Sequence, residues 1–231
     1  MLVYGRNVAR EILKNPKKVK KVILQEGFDD KIIISLLEKS NLKVSYRQKR
    51  EIDHLADGVH QGIILDVMDY KYYDLCDVTS QDSFVVILDH LEDPHNFGAI
   101  IRTCEAAGVD AIIIPKDRQV QVNATVMKTS VGTLDSMRII QVTNLSAAIS
   151  KLKDNGFWIV GTALEDSVDY REIDYSSKIG LVIGNEGTGM SRLVKDNCDF
   201  IAKIPMYGKT NSLNASVASG IMIYEVIRNR K

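Results

Sequence analysis

The stretch GNEGTGMS, residues 184–191, sets three glycines and a carboxylate directly after the apolar run KIGLVI. Gly184 and Gly189 have P-loop spacing, and Ser191 stands where that loop carries its hydroxyl, but Met190 occupies the lysine position. Without the lysine there is no point charge for terminal phosphates. The order G-x-x-G-x-G is also the reverse of the dinucleotide fingerprint. Glu186 would place a carboxylate inside a nest of backbone N–H groups, where it repels phosphate. A plain turn needing positive φ rarely takes three glycines with a glutamate between them. The loop therefore suits a neutral or cationic ligand.

Two further stretches concentrate polar groups. In LDHLEDPHNFGAIIRTCEAAG, residues 88–108, a strand ends at Asp89, Pro94 breaks the chain and Asn96 is expected to start a helix. Arg102 falls in the second turn of that helix among apolar neighbours, which predicts partial burial and a need for a partner. In IPMYGKTNSLNASVASG, residues 204–220, Asn211, Ser212, Asn214, Ser216 and Ser219 crowd a helix start. One would serve as a cap, and the surplus points to ligand contacts. His90, Glu92, Asp93 and His95 straddle a proline in a loop and do not form a metal-ligand pattern, so no metal is expected.

These groups need a scaffold. In the first third, VAREILKN reads as a helix, KKVILQ as a strand, and DDKIIISLLEKS as a helix capped by Asp29 or Asp30. LKVSYR and HQGIILDVM read as strands. The segment 69–82 is polar, aperiodic and rich in turn formers, and reads as a linker. From residue 83, apolar strands (FVVILD, DAIIIP, RIIQV, FWIVGTAL, GLVIG, FIAKIPM) alternate with helices, and the last helix spans 214–231. Such alternation predicts an α/β fold with a parallel sheet covered on both faces. The expected organisation is a small α/β domain at 1–68, the linker, and a larger domain at 83–231.

The chain has 231 residues, 45% hydrophobic and 26% charged, which suits a folded globular protein. No apolar run is long enough to span a membrane, and the N-terminus lacks the pattern of a signal peptide, so a cytoplasmic location is expected. Cys76, Cys104 and Cys198 are widely spaced and form no disulfide framework or CxxC site. The net charge is zero, yet residues 1–50 hold 13 Lys and Arg against 5 Asp and Glu. This asymmetry suggests an anionic partner for the N-terminal part, nucleic acid before membrane, although a solvated basic face would look the same.

Taken in order, DPHNFGAIIRTCEAAG, GLVIGNEGTGMS and IPMYGKTNSLNASVASG resemble the three motifs of the SpoU/TrmH family of RNA ribose methyltransferases, within the SPOUT superfamily. YGRNVAREIL and HQGIILDV resemble the substrate-binding domain that precedes the catalytic domain in many members. The resemblance implies a homodimer whose catalytic domain carries a trefoil knot, with S-adenosylmethionine bound near Thr162, Ala163, Gly184, Asn185, Gly189, Ile204, Met206, Ser212 and Leu213. It implies methyl transfer to a ribose 2′-hydroxyl, a guanosine of large-subunit ribosomal RNA being the closest match. Arg102 would act on that hydroxyl, held by Asn96 and Glu186, with Ser212 and Asn214 positioning substrate or cofactor. A guanidinium stays protonated, which favours orientation and charge stabilisation over base catalysis. A transfer-RNA methyltransferase and a noncatalytic RNA-binding protein of the same fold are the competing expectations.

Overall fold

A computed structural model of the chain describes residues 1–56 and 58–230. It divides into two compact units: Met1–Lys71 with Val122–Gly132, and Tyr72–Gln121 with the residues from Thr133 onward.

The first unit contains β1 (Leu2–Tyr4), α1 (Arg6–Lys14), β2 (Val19–Gln25), α2 (Lys31–Glu38), β3 (Val44–Arg47), α3 (Lys49–Asp53) and β4 (Ile63–Val67). Its sheet runs β1-β4-β2-β3, with β4 antiparallel to β1 and β2 and with β3 parallel to β2. One face, including Val22, Leu24, Ile63 and Leu65, packs against Ala9 and Leu13 of α1 and Ile33 and Leu37 of α2. The other face, Ile23 and Ile64, packs on Ile52 and Ala56. Strand alternation thus feeds two cores from one sheet. Asp30 caps α2, accepting from the Ile32 and Ile33 N–H groups at 3.2 Å each and from Arg10 at 2.8 Å.

The remaining elements are β5 (Phe84–Asp89), α4 (Pro94–Ala107), β6 (Ala111–Pro115), α5 (Ala124–Thr129), β7 (Ile139–Val142), α6 (Leu145–Asp154), β8 (Phe157–Thr162), β9 (Val168–Asp169), β10 (Lys178–Gly184), α7 (Arg192–Lys195), β11 (Phe200–Lys203) and α8 (Ala215–Arg228). All but α5 form the second unit. Its sheet, β7-β6-β5-β10-β8-β11-β9, is parallel throughout. Every residue of β5 and β6 is buried, as the apolar runs predict for a sheet covered on both sides. On one face α6 and Val194 of α7 cover Val85, Ile87, Phe157, Ile159 and Val182; α4 and α8 pack on each other. From β5 the chain moves outward through β6 and β7; later it returns on β5's other side, where β10 inserts between β5 and β8. Such a reversal leaves a crevice at the carboxyl ends of the strands.

Several expectations change. α4 begins at Pro94, with Asp93 as its cap accepting from the His95 N–H at 2.8 Å, so Asn96 lies inside the first turn. Arg102 then falls in the third turn. The 69–82 stretch is divided between the units, and Tyr73 pairs through its backbone with Ile139 and Gln141 beside β7. The 122–132 segment packs with the first unit, where Ala124 and Met127 meet its core. Polarity predicts neither contact: one is a backbone pairing and the other the docking of a few apolar side chains, each with partners far away in sequence. The last helix ends at Arg228, and Lys231 lies outside the described residues. Among the described residues, no helix is long and apolar enough to cross a membrane.

Candidate functional site

The loops after β8, β10 and β11, with the start of α8, enclose a cleft of about 630 Å³. All nine residues expected at a cofactor line it: Thr162, Ala163, Gly184, Asn185, Gly189, Ile204, Met206, Ser212 and Leu213. Ile183, Met190, Lys195 and Ala218 line it as well.

The 184–191 loop is a closed ring. Asn185 and Gly189 exchange both backbone hydrogen bonds at 3.0 Å. The Asn185 side-chain oxygen accepts from the Gly187 N–H at 2.9 Å and the Thr188 N–H at 3.1 Å, filling the turn from within. Gly189 closes it at φ +69°. Gly184 has a sharper reason: a Cβ there would stand 2.4 Å from the Met190 nitrogen and 2.5 Å from the Gly189 carbonyl carbon. The loop's own return excludes a side chain at 184, with no ligand invoked. Met190 also gains an explanation. Its side chain packs with Cys198 on the α6-side core and against Gly161. A lysine at 190 would carry its ammonium into that apolar contact, at a desolvation cost. Burial pushes the neighbouring Cys198 thiol up to about 12, so it stays protonated and is no nucleophile.

The β5–α4 connection grips this ring at both ends. The Asp89 carboxylate, fully enclosed, accepts from the Ser191 N–H at 2.6 Å and pairs with His90 Nδ1 at 2.6 Å. His90 adopts φ +62°, and its carbonyl accepts from Asn185 Nδ2 at 2.7 Å. Neither is expected at this site: Asp89 marks only a strand end, and His90 belongs only to a rejected metal cluster. The available signal was a carboxylate ending an otherwise wholly apolar strand.

Asn96 makes the third contact. Asn214 Nδ2 donates to Asn96 Oδ1 at 2.9 Å, and Asn96 Nδ2 donates to Glu186 Oε1 at 3.0 Å. Asn96 is buried, whereas Glu186 and Asn214 face solvent. Asn214 also caps α8, accepting from the Ser216 N–H at 2.9 Å. One amide thereby joins α4, the glycine loop and α8.

Arg102 does not enter this network. It is exposed and has no hydrogen-bond or ion-pair partner among the described residues. The expected partial burial and the bracing by Asn96 and Glu186 are both corrected. Six helical residues turn the side chain by about 240° and advance it about 9 Å, onto another face of α4. Asn96 and Glu186 bind each other instead. Ser212 lies on the cleft wall, exposed.

Comparison with known proteins fits this geometry to a family. The SpoU rRNA Methylase family matches residues 83–224, and the domain described as RNA 2′-O ribose methyltransferase substrate binding matches residues 2–73. The chain belongs to the SpoU rRNA methylase family. It is accordingly an RNA methyltransferase. A Staphylococcus saprophyticus protein assigned to the TrmH family of tRNA/rRNA methyltransferases is 45% identical, covering 100% of this chain and 96% of that protein. The AdoMet-bound rRNA methyltransferase from Sinorhizobium meliloti superposes with a TM-score of 0.78 at 27% identity, covering 98% of this chain and 86% of its own. The A. aeolicus TrmH/SpoU tRNA modifying enzyme is 37% identical, with a TM-score of 0.59, over 65% of this chain and 76% of its own.

Proposed function

We propose that this chain methylates a ribose 2′-hydroxyl, that of a guanosine, in large-subunit ribosomal RNA, using S-adenosylmethionine. The observation that carries the choice of ribosomal RNA is coverage. The Sinorhizobium meliloti rRNA methyltransferase matches almost the whole chain, first unit included, whereas the A. aeolicus tRNA modifying enzyme matches about two thirds.

The cleft suits the cofactor. S-adenosylmethionine supplies an activated methyl group on a sulfonium cation and brings no phosphate, which agrees with a loop lacking the P-loop lysine and carrying a carboxylate at 186. Backbone at Gly184, Asn185 and Gly189 and apolar walls at Ile204, Met206 and Leu213 would hold a flat neutral ring and a short arm. Glu186, fixed by Asn96, places negative charge at the cleft edge. Ser212 offers a hydroxyl there, and Asn214 holds Asn96 in register. In this reading Arg102 meets the RNA strand, whose phosphates give its guanidinium the partner the chain withholds. It would orient the ribose and stabilise the negative charge that develops on the 2′-oxygen as its proton leaves to water, ahead of methyl transfer from the sulfonium, which is left as a neutral thioether.

A homodimer with a trefoil-threaded last helix belongs to the same reading. Trp158 and Phe200 pack with tilted rings, 5.7 Å between centroids, on the sheet face opposite Phe157 and Ile159, yet remain 48% and 40% exposed. α8 leaves Val217 and Tyr224 exposed too. Apolar surface of this kind favours a second copy.

The test is to map 2′-O-methylation in ribosomal and transfer RNA from cells with and without the protein. One guanosine in large-subunit RNA should lose its methyl group. Loss from transfer RNA alone would overturn the choice of substrate, and unchanged methylation everywhere would overturn the function.

A further inference from the structure

A second cleft, of about 720 Å³, lies wholly in the first unit. Its size falls within the roughly 300–1,000 Å³ of small-molecule sites. The backbone of residues 58–62 forms one wall, closely backed by aromatic rings. A Cβ at Gly62 would come within 3.1 Å of Phe28, and one at Gly58 within 3.0 Å of the Tyr4 hydroxyl.

Its polar groups fall into two sets. One set is already satisfied. His60 Nδ1 accepts from the Gly62 N–H at 3.0 Å, which leaves the ring proton on Nε2, 2.8 Å from Asp53. Arg6 is fixed by Gln61 and Asp29, with its guanidinium 5.0 Å from the centre of the Phe28 ring. The other set has no partner among the described residues: the half-buried Gln25 amide and the Lys49 ammonium. The cleft thus offers a flat cationic surface, an amide with both a donor and an acceptor edge, and an unpaired cation.

We infer that this cleft takes one unstacked nucleotide of the RNA substrate, its base on the Arg6–Phe28 stack, its edge read by Gln25 and its phosphate met by Lys49. The inference rests on the reading of this chain as an RNA methyltransferase and names how its first unit recognises the RNA. Unstacked bases are bound by aromatic or guanidinium planes and read at their edges, while paired bases hide both. A free anion would use Lys49 but neither the stack nor the amide. A paired stem would meet basic surface without entering a cleft. The excess of 13 basic over 5 acidic residues in positions 1–50 supplies attraction to the flanking phosphates.

The test uses the full chain and fluorescently labelled RNA hairpins. One is fully paired, and four others differ only in the identity of a single bulged nucleotide. Anisotropy titrations are run at several salt concentrations. The wild type should bind at least one bulged hairpin about tenfold more tightly than the paired one, the effect of one base stacked on a protein ring. Gln25→Ala should level the affinities of the four bulged hairpins, whose bases the Arg6–Phe28 surface still holds, while leaving the paired hairpin's affinity within about twofold. Lys49→Ala should weaken both kinds and lower the salt slope by about one phosphate contact. Thermal unfolding of both variants checks that they fold, and both side chains are accessible enough for substitution. Equal affinity of the wild type for all five hairpins, or differences among the four bulged hairpins that survive Gln25→Ala, overturns the inference. Ribose methylation of cellular RNA is scored separately. A cleft that fails leaves methylation intact without hairpin preference; a failed functional reading leaves no methylation with any RNA.

Discussion

Replacing Asp89 by alanine tests whether the β5–α4 connection shapes the cleft proposed for the methyl donor. The carboxylate is fully enclosed and holds the Ser191 N–H and His90 Nδ1, each at 2.6 Å. Alanine removes the acceptor from two part-buried donors, at the lower end of the range for an unmet buried group, about 1 kcal/mol each or roughly 2 kcal/mol together. His90 also loses the anchor for its φ of +62°, and with it the carbonyl that holds Asn185 at 2.7 Å. Both ends of the 184–191 ring are then released. A ring closed only a fraction of the time binds its ligand more weakly by that fraction. If about 2 kcal/mol of the cost falls on loop closure, the Kd for S-adenosylmethionine rises roughly 30-fold. Asp89→Asn keeps the shape and one acceptor, so it should show a smaller loss. Calorimetric titration of S-adenosylmethionine gives Kd, and urea unfolding gives the global stability. A D89A protein with wild-type Kd refutes the reasoning, whatever its unfolding midpoint, because the cost would then be global and the ring indifferent to its anchors.

Other outcomes follow from the same contacts. Arg102→Ala should abolish methyl transfer while leaving stability within about 0.5 kcal/mol and S-adenosylmethionine affinity unchanged, since the side chain is exposed and has no partner among the described residues; normal turnover by the variant would remove Arg102 from the mechanism. Burial alone would raise the Asp82 carboxyl, but Arg138 (2.6 Å) and the Thr79 N–H outweigh it and hold the carboxyl below its ordinary range. Its stabilisation is therefore complete above about pH 4, the ordinary carboxylate value, and is lost as pH falls through Asp82's own lower value. Urea midpoints from pH 7 to pH 3 should decline more steeply in the wild type than in Asp82→Asn, and parallel declines contradict this. Of the three thiols, only the exposed Cys76 should react with a thiol reagent at pH 8 in the native protein; burial pushes Cys104 and Cys198 up, and all three should react after denaturation.

The sequence by itself determined the strand–helix alternation, the parallel sheet, a cap at Asp29 or Asp30, a helix start crowded with polar groups at 211–219, the family and the residues lining the 630 Å³ cleft. These signals are local: apolar runs, capping side chains and glycine spacings are read within a dozen residues. Tertiary structure alone decided which polar groups meet. Asn96 reaches Glu186 across 90 positions and Asn214 across 118, and Asp89 reaches Ser191 across 102. Only the order of β5, β10 and α8 in space sets those pairs. The same holds for Arg102, whose helix starts two residues before the expected Asn96, so that packing and not composition leaves it facing solvent. It also holds for the 122–132 segment, which packs with the first unit because its apolar side chains complete a core built from residues 1–67. The glycine loop shows both levels at once. Its spacing announced a tight turn and its missing lysine excluded triphosphate, but only the fold showed that Gly184 yields to the loop's own backbone and that Met190 packs against the core.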